Sequence, residues 1–164
     1  MLPLLLLMFA PADHFPTADE WIHDWEVQRD FTLAVAEKMP GESYDFKASP
    51  EEMTFGQMVV HIAASLGGNV ERVSGTKAQI TNRQPKTKED VLKTTHEWFD
   101  FSIRGISKLT SEQLAREYQV NWEGRKATTG RQIILAMFAH TAHHRGQLEV
   151  YLRLKGIAPP LYTF

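Results

Sequence analysis

The chain closes on a long uninterrupted helical period. From Thr128 or Thr129, either of which can cap, the apolar residues of "TTGRQIILAMFAHTAHHRGQLEVYLRLKGIAPP" recur at helical spacing until Gly156 and Pro159-Pro160 stop them. About 27 residues rising 1.5 Å each make a rod of roughly 40 Å, long enough to traverse a domain.

Three further segments carry the same period. Thr17 with Glu20 forms a capping box, Trp21, Trp25, Thr32, Val35 and Met39 make a stripe, and Pro40-Gly41 supplies the stop. Ser49 as N-cap, Pro50 at the first helical position and Glu52 open a second helix, with Phe55, Met58, Val59, Ile62 and Leu66 on one face. Gly67-Gly68 weakens that helix or ends it, and the pattern continues to about Val73. After a polar connection over 75–86, Thr87 with Asp90 starts a third helix, whose stripe of Val91, Thr95, Trp98, Ser102, Ile103 and Ile106 runs to Leu109. "TSEQLAREY" brings a cap at Thr110 or Ser111, and "QVNWEGRKATT" a loop holding a brief strand or nothing regular. Four amphipathic helices without a convincing alternating strand predict an all-α protein, an antiparallel four-helix bundle.

A chain of 164 residues fits one domain, expected over residues 13–164. The net charge is −2 and the lysines and arginines are scattered, which argues against nucleic-acid binding. There is no cysteine, so any metal must be held by histidine or carboxylate. The start, "MLPLLLLMFAPADH", is too short to span a bilayer, which takes about 20 residues. It fits a signal-peptide core ending at the small-x-small "APA" of residues 10–12, although no basic residue precedes it. Residues 1–12 are thus either a signal peptide, which makes the protein exported, or an apolar extension of a cytoplasmic one.

"HTAHHRGQ" concentrates three histidines in five positions. His140 and His144 lie about 40° apart on one face and about 6 Å apart along the axis, so both rings can reach one ion. His143 lies about 100° away and faces the flank. Ile133, Met137, His140, His144, Gln147 and Tyr151 share the inward side of the helix. His61, at the border of the second helix's stripe, is the third candidate ligand. Three converging histidines would be costly to bury alone, and a divalent cation would satisfy all three. A metal-free core of hydrogen-bonded histidines is the competing reading.

Other signatures fail. Thr141 occupies the glutamate position of H-E-x-x-H, Glu-x-x-His pairs are absent, and there is no nucleophile elbow or glycine-rich nucleotide loop. Gln147, one turn past His144, and Gln57, one turn before His61, are the weak catalytic candidates, able to orient water or substrate. Arg145 is expected to pair with a carboxylate on a neighbouring helix, and Gly146 to admit another helix closely. The tryptophans and Phe138 are expected in the core, and His14, His23 and His96 at solvated positions.

The run "HTAHHRGQLEVYLRLKGIAPPLY" resembles the last helix of the DinB-like superfamily, the damage-inducible and YfiT-like metalloenzymes, with its H-x-x-x-H-R-G-Q, "YLR" and Gly-x-x-Pro-Pro exit. "FGQMVVHIAASL" is similar to the family's second helix. The resemblance covers residues 17–162 and has nothing to do with the DNA polymerase sharing part of the name. It implies a four-helix bundle, often a homodimer, whose metal triad maps onto His61, His140 and His144 and holds zinc or nickel. Ligand type leaves iron possible as well. It further implies a small-molecule substrate and a low-molecular-weight thiol such as bacillithiol or mycothiol, in an S-transferase or isomerase, or else a hydrolase. A non-catalytic metal sensor or carrier is the alternative from another class.

Overall fold

Threonines set where the helices begin. The structure, a computed structural model, describes residues 18–122 and 124–162, so the leader, His14 and the Thr17 cap lie outside the described residues. Helix α1 spans Ala18–Lys38, α2 Phe55–Ser74, α3 Lys88–Ile106, α4 Ser111–Ala115 and α5 Gly130–Leu154. Thr54, Thr87, Thr110 and Thr129 each accept a hydrogen bond from the backbone N–H three residues on, and Gln57, Gln113 and Gln132 close three capping boxes.

One expected cap moves. Ser49, predicted to open the second helix with Pro50 and Glu52, instead binds the Glu51 carboxylate at 3.0 Å, and the helix starts five residues later at Thr54. Tertiary structure decides between the two candidates: Phe55 N–H donates to Phe46 O and Gly56 N–H to Tyr44 O, which ties the preceding turn across the α2 start. Gly67-Gly68 does not end α2, which runs to Ser74 and stops at Gly75, φ 76°. A Cβ on Gly67 would strike the Trp98 ring, so that glycine lets α3 lie close.

The expected stripes form the core. Trp25, Thr32 and Val35 of α1 with Met39 just past its end, Met58, Val59, Ile62 and Leu66 of α2, and Trp98, Ser102 and Ile103 of α3 are buried around Ile134, Met137, Leu148 and Leu152 of α5. Each fully buried apolar side chain contributes roughly 1.5–3 kcal/mol relative to exposure. Trp21, Trp122 and Phe138 are only partly buried against it. Around the bundle the order is α1, α3, α2, α5. Lys88 meets Glu37 and Met39 while Asp100 meets Arg29, so α1 and α3 are antiparallel. His61 meets His140 and Asn69 meets Met137, so α2 and α5 are antiparallel too. The Gly67–Trp98 and Val70–Gly105 approaches make α2 and α3 run the same way. That arrangement requires the chain to return along the bundle between Gly75 and Thr87, a stretch whose extended reach of about 3.3 Å per residue suffices.

The brief strand expected near Gly124 is a hairpin, β1 (Glu117–Trp122) against β2 (Arg125–Thr129), paired Glu117 to Thr129 with an irregularity between Gln119 and Trp122. Its Tyr118 hydroxyl lies 3.1 Å from both Val73 O and Gln113 O, docking the hairpin over the end of α2. Among the described residues no helix is long and apolar enough to cross a membrane.

Candidate metal centre

α5 brings His140 and His144 inward and the antiparallel α2 brings His61 opposite them. The ring centroids are 4.4 Å apart for His140–His144, 4.8 Å for His61–His144 and 5.1 Å for His61–His140. One nitrogen from each ring lies within 4.8 Å of the others, and His61 Nε2 stands 3.3 Å from His140 Nε2. Two nitrogens bound at about 2.05 Å in a tetrahedron are separated by about 3.3 Å, so this edge already has the span of a metal-ligand pair.

The other ring nitrogens favour the same use. His144 Nδ1 is 2.6 Å from Gln147 Oε1 and His61 Nδ1 is 3.4 Å from Ser65 Oγ. A proton on each Nδ1, donated to those oxygens, leaves each Nε2 as a lone-pair donor. His140 Nδ1 is buried without a partner among the described residues. A cluster of three lone-pair donors, one of them on a ring with no other bond to hold it, fits a divalent cation, and no carboxylate or sulfur belongs to the set. Asn69, one turn beyond Ser65, donates to Ser65 O at 2.9 Å and to Met137 Sδ at 3.1 Å, tying α2 to α5 beside the triad.

Electrostatics favour the neutral form of His61 and His140. Burial, reinforced by His144, lowers the His61 pKa. Burial also pushes His140 down to about 4, with further lowering from His144, His61 and His143. Near neutral pH neither ring has a proton that a cation must displace.

The expected site residues separate into three groups. His61, His140 and His144 are brought together. Gln147 touches the centre through His144, whereas Gln57 is exposed, its side-chain carbonyl accepting from Thr54 N–H at 2.9 Å, and it lines a cleft that His61 also lines. His143 is exposed on the flank, as are His23 and His96, the latter 3.2 Å from Asp100. Two expectations fail. Arg145 is buried and donates to the neutral amide of Gln28, not to a carboxylate, while its guanidinium lies 4.5 Å over the Phe31 ring. The α1 residues that meet the guanidinium are Gln28 and Phe31, and the Glu149 carboxylate acts on it without forming an ion pair. Gly146 faces open space, so no described element of the chain approaches it.

Sequence reasoning missed Ser65 and the cleft. Ser65 had a signal, a polar residue four positions after His61. The cleft's outer wall, Arg83, Gln84 and Lys86, had none, because only the return of the chain places it beside His61.

Comparison with known proteins agrees with this fold. YjoA of Bacillus subtilis (strain 168), an uncharacterised protein, is 30% identical over 130 residues, covering 78% of this chain and 84% of that protein. YrdA of the same organism, likewise uncharacterised, is 22% identical over 149 residues, covering 89% of this chain and 87% of that protein. The crystal structure of YjoA, a DinB-like protein, superposes with a TM-score of 0.70 at 26% identity, over 87% of this chain and 96% of that one. A DinB-like protein from Bacillus cereus ATCC 10987 superposes with a TM-score of 0.71 at 19% identity, over 88% and 97%, and shares the fold. The DinB family matches residues 8–164. A four-helix bundle with three histidines on α2 and α5, matched over nearly its whole length, belongs to the DinB family.

Proposed function

We propose that the protein is a divalent-metal-dependent enzyme acting on a small molecule, as an S-transferase or isomerase that uses a low-molecular-weight thiol, or as a hydrolase. The observation that carries this reading is the convergence of three imidazoles with no carboxylate or thiolate among them. Such a ligand set leaves a zinc, nickel or iron ion its full charge and open coordination positions, where it acts as a Lewis acid that draws the pKa of a water or thiol towards neutrality.

The chain's own residues prepare that role. His61, His140 and His144 hold the ion from two packed helices, so their spacing does not depend on a loop. Gln147 and Ser65 fix the tautomer and orientation of His144 and His61. The adjoining cleft, about 420 Å³ and lined by Gln57, Val60 and His61, gives a substrate room beside the centre. No thiol comes from the chain, so a thiol nucleophile must arrive as cosubstrate.

Pairing into a homodimer belongs to the same proposal. The outer face of α5 exposes Leu135, Val150 and Leu154, with Gly146 between them open to approach. Sedimentation of wild type against Val150→Arg tests it: a dimer that becomes monomeric is expected, and a wild-type monomer removes it.

Elemental analysis of gently purified protein tests the central claim, with one ion per chain expected in wild type and loss in His144→Ala. Turnover of electrophiles with a panel of thiols, or of hydrolysable esters and amides, is expected only in the loaded wild type. A loaded protein that turns over none of these is a sensor or carrier instead, and a protein that takes up no ion overturns the reading.

A further inference from the structure

The cleft beside His61 has an uneven charge. Its wall on α2 is Gln57, Val60 and His61, and its opposite wall is Arg83, Gln84 and Lys86, with no carboxylate among the lining residues. The opposite wall is anchored to α3. The Glu97 carboxylate accepts from Thr81 N–H at 2.9 Å and Thr81 Oγ1 at 2.8 Å, and Thr94 Oγ1 donates to Asn82 O at 2.9 Å. Those bonds hold the Glu97 carboxyl below its ordinary range, with the Thr81 backbone N–H the main cause.

The two cations differ in what occupies them. Arg83 donates to Ala78 O at 3.1 Å, lies 4.8 Å over the Trp98 ring and stands 3.8 Å from Glu71, so its position is set by the fold. Lys88, two residues past the cleft, is spent on Glu37 O and Met39 O. Lys86 is exposed and forms no ion pair among the described residues. Gln57 gives its carbonyl to Thr54 N–H, which leaves its NH₂ to donate. A free ammonium, a fixed guanidinium and a free amide NH₂ line one cleft beside His61, and all three are donors to an anion.

From these residues we infer that the ligand reaching the metal centre carries a carboxylate, recognised by Lys86 with Arg83 and Gln57, so that the substrate class is a small acid such as a mercaptocarboxylate. The inference rests on the metal-centre reading above. Lys86 supplies a charge-assisted hydrogen bond to the carboxylate and Gln57 NH₂ a second, while the donor atom of the same molecule faces the histidine cluster.

Cobalt(II) in place of the native ion gives a readout independent of turnover, because a thiolate that binds it produces a charge-transfer absorption. The loaded protein is titrated with mercaptosuccinate and, separately, with 2-mercaptoethanol. Wild type is expected to bind mercaptosuccinate more tightly, and Lys86→Gln to weaken it about tenfold, the worth of one such hydrogen bond, leaving 2-mercaptoethanol and cobalt stoichiometry unchanged. Lys86→Glu is expected to weaken it further. An equal response of both thiols to the Lys86 substitutions, or no response, overturns the carboxylate assignment while leaving the metal centre standing. Failure of wild type to take up cobalt overturns both.

Discussion

Adjacent glycines on α2 are expected to respond oppositely to the same substitution. A Cβ on Gly67 would stand 2.6 Å from Trp98 Cζ3 and closer still to Cε3. Carbon contacts settle near 3.5 Å, so the indole must retreat by about 1 Å or more. It has little room, being 4% exposed and covered by the Arg83 guanidinium. Overpacking costs about 1–3 kcal/mol, a clash this close to a buried ring belongs in the upper part of that range, about 2–3 kcal/mol, and the helix preference for alanine over glycine offsets about 1 kcal/mol of it. Gly67→Ala is therefore expected to lose about 1–2 kcal/mol. A Cβ on Gly68 meets nothing within 4 Å, so only the helix preference acts and Gly68→Ala is expected to gain about 0.5–1 kcal/mol. Urea unfolding of the two variants, followed by tryptophan fluorescence and far-ultraviolet dichroism, measures both shifts. Thermal midpoints should move about 2–4 °C per kcal/mol, downward for Gly67→Ala and upward for Gly68→Ala. A Gly67→Ala protein as stable as wild type would refute the close Trp98 approach, and a destabilised Gly68→Ala would refute the open outer face.

Three further outcomes follow from the site and the core. Because the folded pKa of His140, about 4, lies below its ordinary 6.5, the unfolded chain takes the proton first and metal-free protein loses stability as pH falls between those values. Linkage amounts to about 2 kcal/mol between pH 7 and pH 5 before solvent screening, which reduces it to about 1 kcal/mol, and urea midpoints should show the drop in wild type and a smaller one in His140→Leu. Gln147→Ala, which frees the His144 ring, should weaken zinc affinity about 10- to 100-fold in competition with a chelator, whereas an unchanged affinity would assign Gln147 no positioning role. Gln28→Leu strands the buried Arg145 guanidinium and should cost about 3 kcal/mol in urea unfolding, while Arg145→Met, which removes the charge and keeps the stem, should cost markedly less.

What the sequence made legible was periodic or local. The stripes of α1, α2, α3 and α5, the caps at Thr87 and Thr110, and the inward His140–His144 pair depend on spacing along one helix. His61 could be matched to them because it borders an apolar stripe. Errors came where two local signals competed or where a partner lay far along the chain. Both Ser49-x-x-Glu52 and Thr54-x-x-Gln57 spell a capping box, and only the backbone bonds that Phe55 and Gly56 N–H donate to the Phe46 and Tyr44 carbonyls select the second. Arg145 looked like half of an ion pair because its partners, Gln28 and Phe31, are over a hundred residues away. Arg83 and Lys86 carried no site signal, since their neighbourhood with His61 is created by topology.

That topology divides labour between stiff and editable parts. Since α2 and α3 point the same way, the strand of chain joining them is obliged to travel back past the histidines, and it furnishes the far bank of the cleft as it does so. Lengthening such a strap is cheap, about 0.6 kcal/mol of closure entropy for each doubling, and leaves the two rods that grip the ion untouched. Selectivity for different visitors can thus drift, or be engineered, residue by residue in 76–86 without retuning the centre that handles them.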